Sequence, residues 1–409
     1  MSEPMMPEGW KRQTVADVCR MQNGNGFGPE DWGTEGYPII RIQNLNGGNN
    51  FDYYSGPVES RWLVAPGQLL FAWAGTKGVS FGPTRWTGRT GVLNQHIFKV
   101  NPHDGVDEGW LYWALRHVTD RIEANAHGFK ATLVHVKKSD IDRQEVLVPR
   151  LPTQRWIART LQVWDDAIIT TEKLLANSRR QKRDLMQGLL SGHREVGPRK
   201  SGWTQPDFDE VFERITRKNT TGNQNVLTIS GQYGLISQRE FFNKSVASEN
   251  LQGYTLLEQG DFAYNKSYSI GYPVGAIKPL LAYESGVVSS LYICFRIRPD
   301  VEADADFFRH YFEAGMLNDA ITAIAQEGAR NHGLLNVSVK DFFKLKLRTP
   351  TIETQRRIAE VLNAAESEER CIAQQLEKLE QEKRALMADL LTGKRRVRLH
   401  EATAEQEAT

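Results

Sequence analysis

The sequence predicts an α+β protein built twice over: two mixed bodies of strands and short helices, each followed by a long helix, with the two long helices pairing as an antiparallel coiled coil. Three observations predict it. The chain repeats itself, the repeat closes in long stretches free of Gly and Pro, and the regions before those stretches alternate short apolar runs with Gly, Pro and Asn clusters.

The repeat is read by sliding the sequence along itself. A shift of 201 lays TQRWIARTL (from Thr153) on TQRRIAEVL (from Thr354), and KRDLMQGLLSGHREV (from Lys182) on KRALMADLLTGKRRV (from Lys383). Of the 44 positions from Thr153 to Val196, 16 are identical, an ungapped diagonal that chance does not produce. Upstream the match is weaker: Pro149 falls on Pro350, Asp140 on Asp341, and a shift of 193 puts Gly9-Trp10 on Gly202-Trp203 and GQLLFAW (from Gly67) on GDFAYNK (from Gly260). Unequal shifts mean that the bodies diverged by insertion and deletion while the closing segments did not. The expected division is a first body at 1–151, a helix at 152–193, a second body at 194–349, a second helix at 350–393 and a basic, then polar, tail at 394–409, expected to be flexible.

Within the bodies, YPIIRI (from Tyr37), QLLFAW (from Gln68), HIFKV (from His96), NVLTIS (from Asn225) and LYICFRI (from Leu291) read as strands. Two amphipathic stretches, GWLYWALRHVTDRI (from Gly109) and FFRHYFEAGMLNDAITAIA (from Phe307), read as one helix in each body.

The closing segments read as longer helices. Pro152 precedes a stretch from Thr153 to Gln187 without Gly or Pro, and a second runs from Thr351 to Thr392 between Pro350 and Gly393. Alternate steps of four and three give Ile157, Leu161, Trp164, Ile168, Thr171, Leu175, Ser178, Lys182, Leu185 and Leu189 in the first. In the second they give Ile358, Leu362, Ala365, Glu369, Ile372, Leu376, Leu379, Lys383, Leu386 and Leu390. Two heptad stripes imply a mutual seam; at ~1.5 Å per residue, the first helix makes a rod of roughly 52 Å. The alternative is that each helix packs only on its own body. The lysine at the same stripe position in both copies, Lys182 and Lys383, speaks for the seam, as polar residues that fix register do.

Composition bounds the partners. A chain of 409 residues with 34 Gly, 16 Pro and 40% hydrophobic residues is too long for one ordinary domain. Fifty-one basic and 50 acidic side chains leave a net charge of +1, so any surface for a polyanion is local. Cys19, Cys294 and Cys371 lie too far apart for a disulfide framework or a metal knuckle, and the odd count suits a reducing compartment, the cytoplasm. No apolar run approaches the ~20 residues that span a bilayer, and the polar start lacks a signal-peptide core, so neither membrane nor secretion is expected.

No catalytic constellation is present: no GxxxxGK[ST], no HExxH, and GNGFG (Gly24 to Gly28) lacks the spacing and following helix of a dinucleotide loop. His127 and His135 have no third ligand nearby, which argues against zinc. Charge, by contrast, is segregated. Ser60 to His103 contains no acid while Arg61, Lys77, Arg85, Arg89 and Lys99 interleave with Trp62, Phe71, Trp73, Phe81, Trp86 and Phe98. Arg214 to Arg239 and Phe262 to Tyr283 are also acid-free, and acids concentrate on the second helix. Arg, Lys, Asn and Gln pair with phosphates and base edges. The plain alternative is that such windows are solvated loops, and the aromatics in apolar runs read first as core.

The plan of body, TQR helix, second body and second TQR helix resembles the DNA-sequence specificity subunit of type I restriction-modification systems over essentially the whole chain. The phrases GQLLFAWAGTKG (from Gly67), YNKSYS (from Tyr264), ESGVVSSLY (from Glu284) and EGARNHGLLNVS (from Glu327) are similar to that family. One departure is that helices of that family often open with PxxEQ, whereas Thr153-Gln154 and Thr354-Gln355 stand here, so a first-turn acid is missing.

The resemblance implies two target recognition domains reading the halves of a bipartite, asymmetric double-stranded DNA site, and a helical spacer docking two modification (methyltransferase) subunits and, through them, restriction (translocase/nuclease) subunits. It implies no active site and no cofactor on this chain, with S-adenosylmethionine, ATP and Mg on the partners. The side chains expected at DNA are Arg41, Gln43, Asn44, Lys77, Arg85 and Arg89 in the first body, and Arg217, Lys218, Gln232, Lys266, Tyr268, Arg330 and Asn331 in the second. The rival classes are a protein-binding coiled-coil scaffold, and an enzyme with an unfamiliar site or a specificity module of another DNA-modifying enzyme.

Overall fold

A computed structural model describes residues 6–125, 133–197, 202–231, 233–242, 250–325 and 335–395. The chain divides into two compact units, Met1–Glu172 with Gln375–Thr409, and Lys173–Gln374. Four helices organise them: α1 (Glu108–Asn125), α2 (Leu151–Leu190), α3 (Ala305–Glu313) and α4 (Ile352–Leu391).

In the first unit an antiparallel sheet runs, in spatial order, Cys19–Asn23, Ile97–Pro102, Leu69–Ala72 and Gly82–Arg85. Its apolar runs are continuous because the sheet is covered on both faces, and successive side chains feed two cores. Leu69, Phe71, Phe98 and Val100 point into a cluster with Trp110, Leu111 and Val118 of α1; Leu70, Ala72 and Ile97 point into another with Ile40, Trp86 and Leu93. A smaller sheet, Tyr53–Tyr54, Tyr37–Ile40, Gly91–Leu93 and Leu63–Val64, has Tyr37–Ile40 parallel to Gly91–Leu93.

The second unit repeats this plan. Its sheet runs Phe212–Arg214, Ile293–Ile297, Phe262–Asn265 and Ala276–Pro279, the same order of corresponding strands. The alternation recurs: Phe262, Tyr264, Ile293 and Phe295 enter one core, Ala263 and Cys294 the other. Phe208, Phe212, Phe262, Phe295 and Phe307 are fully buried, and Phe262 and Phe295 stack with centroids 5.5 Å apart. The predicted single helix from Phe307 is broken. Gly315, at φ +70°, ends α3, Met316 N–H bonds back to Tyr311 O at 3.2 Å, and Asn318–Ile324 is a separate helix.

The long helices differ slightly from their expected bounds. α2 begins at Leu151, before Pro152, because a proline in the first turn removes only an N–H that has no partner there. All twenty stripe positions are buried or half-buried. Both helices are shared between units. Ile157 and Leu161 of α2 lie in the first core together with Met387, Leu390 and Leu391 from the end of α4. Ile358 and Leu362 of α4 lie in the second core together with Met186, Leu189 and Leu190 from the end of α2. Each helix thus starts on its own body, and its far end completes the other unit's core, so packing on the own body alone is overturned. The order is antiparallel: Asp165 pairs with Lys383 in the first unit, and Lys182 with Glu369 at 2.5 Å in the second.

The glycines that close the repeat, Gly192 and Gly393, have φ of +73° and +69° and form the helix C-caps. A Cβ on Gly393 would meet Pro7 at 2.3 Å, and one on Gly192 would meet Trp203 at 2.8 Å, so each cap also lies against the start of a body. The first-turn acid expected to be missing is absent from α2 but present in α4 as Glu353. Residues 396–409 of the tail, with Gln232, Arg330 and Asn331, lie outside the described residues. Among the described residues no helix is long and apolar enough to cross a membrane.

Candidate nucleic-acid interface and the helix joints

The repeated glutamine of the TQR motif has a structural role in both units. Gln154 is 2% exposed; its Oε1 accepts from Asp107 N–H at 2.8 Å and its Nε2 donates to Pro149 O at 2.9 Å. Asp107 Oδ1 in turn caps α1 by accepting from Trp110 N–H at 2.9 Å. The second copy is the same joint: Gln355 Oε1 accepts from Asp304 N–H at 3.0 Å, Nε2 donates to Pro350 O at 3.0 Å, and Asp304 caps α3 through Phe307 N–H at 2.8 Å. One side chain therefore locks the long helix to the body's own helix, which requires Gln at this place in each repeat.

The two stripe lysines each find a carboxylate on the partner helix, but not at equivalent places. Lys383 takes Asp165 and lies 4.6 Å from the Trp113 ring centroid. The equivalent of Asp165 is Glu366, which is taken by Arg309 at 2.8 Å, so Lys182 pairs one turn further on with Glu369. Burial pushes the Glu369 carboxyl up, but Lys182 and Arg179 outweigh it and hold it below the usual value. Nearby His310 is 2% exposed, with Nε2 2.8 Å from Asn363 Oδ1, and burial together with Arg309 holds its pKa below 6.5.

In the first body the structure gathers Arg41 and Arg89 on aromatic rings of neighbouring elements. The Arg41 guanidinium lies 4.6 Å from the Trp32 centroid and ion-pairs with Asp52; Arg89 lies 5.1 Å from the Tyr53 ring. Gly33 bridges to Tyr53, which ties the two rings' segments together. Stacking and pairing leave such a guanidinium plane pre-oriented for a planar acceptor. Gln43 is exposed beside them. Asn44 is not: at 6% exposure its Oδ1 accepts from Arg41 N–H, and its Nδ2 donates to Gly48 O and Asn50 O, so its amide holds the loop. Arg85 pairs with Glu108 at 2.5 Å, and Lys77 donates to Glu123 O at 2.8 Å; both are exposed. Of the aromatics between them, Phe71, Phe81, Trp86 and Phe98 are buried, as core residues are.

In the second body Arg217 is half-buried and held by Glu258 at 2.8 Å and Asp261 at 2.9 Å, bonds that fix the fold. Lys218 is exposed and donates to Gly253 O, Lys266 is half-buried, and Tyr268 is 62% exposed. Sequence reasoning missed Trp32 and Tyr53 as ring partners. The acid-free windows could not reveal Trp32, which follows Glu30 and Asp31.

The chain is thus a body built twice, with a long helix after each copy. Comparison with known proteins shows what the chain is similar to. Residues 7–177 match the model of the type I restriction modification DNA specificity domain. The chain is 27% identical over 157 residues to the specificity subunit of the type I restriction enzyme EcoBI of Escherichia coli, a match covering 38% of this chain and 32% of that relative. It is 21% identical over 96% of its length, and 94% of the relative's, to the MjaVIII specificity subunit of Methanocaldococcus jannaschii. The fold is shared with the type I S subunit from M. genitalium, at a TM-score of 0.54 and 17% identity, covering 93% of this chain and 96% of that one. A chain solved in a study of type I complex assembly and conformational transition gives 0.56 at 14% identity, covering 95% and 99%.

Proposed function

We propose that this chain is the non-catalytic specificity subunit of a type I restriction-modification complex, with each body reading one half of a bipartite, asymmetric site in double-stranded DNA. The paired helices dock two modification subunits and, through them, restriction subunits. Methyl transfer from S-adenosylmethionine and ATP- and Mg-dependent cleavage belong to those partners. The observation that carries the reading is the twice-built body and helix, the first copy of which matches the type I specificity-domain family.

The chemistry supports it. Two related but divergent readers give two unlike half-sites. An internally duplicated chain presents equivalent surfaces to two copies of one partner, as a twofold dimer does. In the first body Arg41 and Arg89, held over rings, are suited to bidentate contacts with guanine edges or phosphates, with Gln43, Lys77 and Arg85 around them. In the second, Lys218, Lys266 and Tyr268 are the corresponding group. Methylome sequencing of a host carrying the modification subunits, with and without this chain, tests the reading: a split, asymmetric methylated motif should appear only with the chain. Methylation with no such motif refutes it.

A further inference from the structure

The loop joining Phe262–Asn265 to Ala276–Pro279 carries Ile270 at its tip, 94% exposed, with Tyr268 beside it. A single exposed aliphatic side chain is ordinary; the bracing beneath this one is not. Ser269 and Tyr272 close the tip with reciprocal backbone hydrogen bonds, around Gly271 at φ +87°. Behind them Lys278, only 9% exposed, donates to Gly231 O at 3.1 Å and to the Tyr272 hydroxyl at 2.8 Å, and ion-pairs with Glu313 of α3. The Tyr272 hydroxyl also lies 3.0 Å from Gly231 O. A buried, fully partnered ammonium thus ties the loop to the Gly231 turn and to α3, and the tip projects from a fixed base.

The tip's chemistry selects its occupant. Phe262 to Tyr283 contains no carboxylate, and Lys266 adds positive charge at the loop's root. A protruding aliphatic group next to a tyrosine, free of acids, suits a polyanion with apolar features inside its grooves. Thymine methyls and base steps are such features, and isoleucine is one of the side chains that wedge against them. Resting on the specificity-subunit reading, we propose that Ile270 makes apolar contact with bases in the half-site read by the second body and so sets specificity there.

The test uses the full chain assembled with its modification subunits and duplexes bearing the methylome-defined site. Ile270→Ala should weaken specific binding about 5–30-fold while leaving random-duplex binding and the salt slope unchanged. Replacing the contacted thymine by deoxyuridine should weaken the wild type and add nothing to Ile270→Ala. Wild-type discrimination by Ile270→Ala overturns the proposal while the specificity reading stands, and so does equal loss on specific and random DNA. Loss of modification-subunit capture with DNA affinity per complex intact overturns it in favour of a protein contact. A wild-type complex without sequence preference overturns the underlying reading itself.

Discussion

Replacing Gln154 by Met keeps the side chain's bulk and removes its hydrogen bonds. At 2% exposure no water replaces them, so the Asp107 N–H and the Pro149 carbonyl are left unpaired. Each of the two orphaned buried groups costs about 1–3 kcal/mol, so the variant should lose about 2–6 kcal/mol. For a unit of this size that lowers the melting temperature by about 5–15 °C. Hydrogen exchange should show the Asp107 amide and the first turn of α1 losing protection, while Asp304 and Phe307 keep theirs. Gln355→Met should give the mirror result, with loss at Asp304. A melting temperature within about 1 °C of wild type together with an unchanged Asp107 amide would falsify the joint.

Leu390→Ala should cost about 2–5 kcal/mol and speed exchange around Trp110 and Leu111, not around Phe208; Leu189→Ala should do the opposite, since each leucine lies in the core of the other copy's body. His310 is held neutral by burial below its ordinary value of 6.5, so the unfolded chain binds the extra proton first on acidification. Stability should therefore fall as pH drops below about 6.5, and His310→Gln should flatten part of that slope in thermal melts between pH 7.5 and 5.5. Burial pushes the thiols of Cys19 and Cys294 up to about 12, whereas Cys371 is exposed. Iodoacetamide at pH 8 should add one label to the native chain and three after denaturation, read by mass; a labelled Cys19 in native protein contradicts the packing.

What was legible in the sequence depended on the range of the interactions involved. The long helices were legible because heptad spacing and punctuating Pro and Gly are local, and every stripe position proved to be buried or half-buried. The strands were legible as apolar runs, although their alternation between two cores was not, since both faces are covered. The break at Gly315 was hidden inside an amphipathic pattern that continues across it. Polar site residues were the least legible. Arg217 is committed by Asp261, 44 positions away, and Asn44 by backbone carbonyls, facts that only tertiary placement supplies. Arg89 stood out as a charge in the acid-free window from Ser60 to His103, but Tyr53, the ring that it lies over, falls outside that window.

The sharing of helix ends between units also orders events during synthesis. The first unit's core needs Met387, Leu390 and Leu391, which are made more than 200 residues after α2 begins. At about 5–20 residues per second that delay is on the order of 10–40 s. Throughout it the first body's apolar face around Ile157 and Leu161 is uncovered on the nascent chain, while the second unit acquires all its parts once Gln374 is made. The body translated first is thus the last to be finished, and until then its open face is the chain's exposure to chaperones and to misassembly.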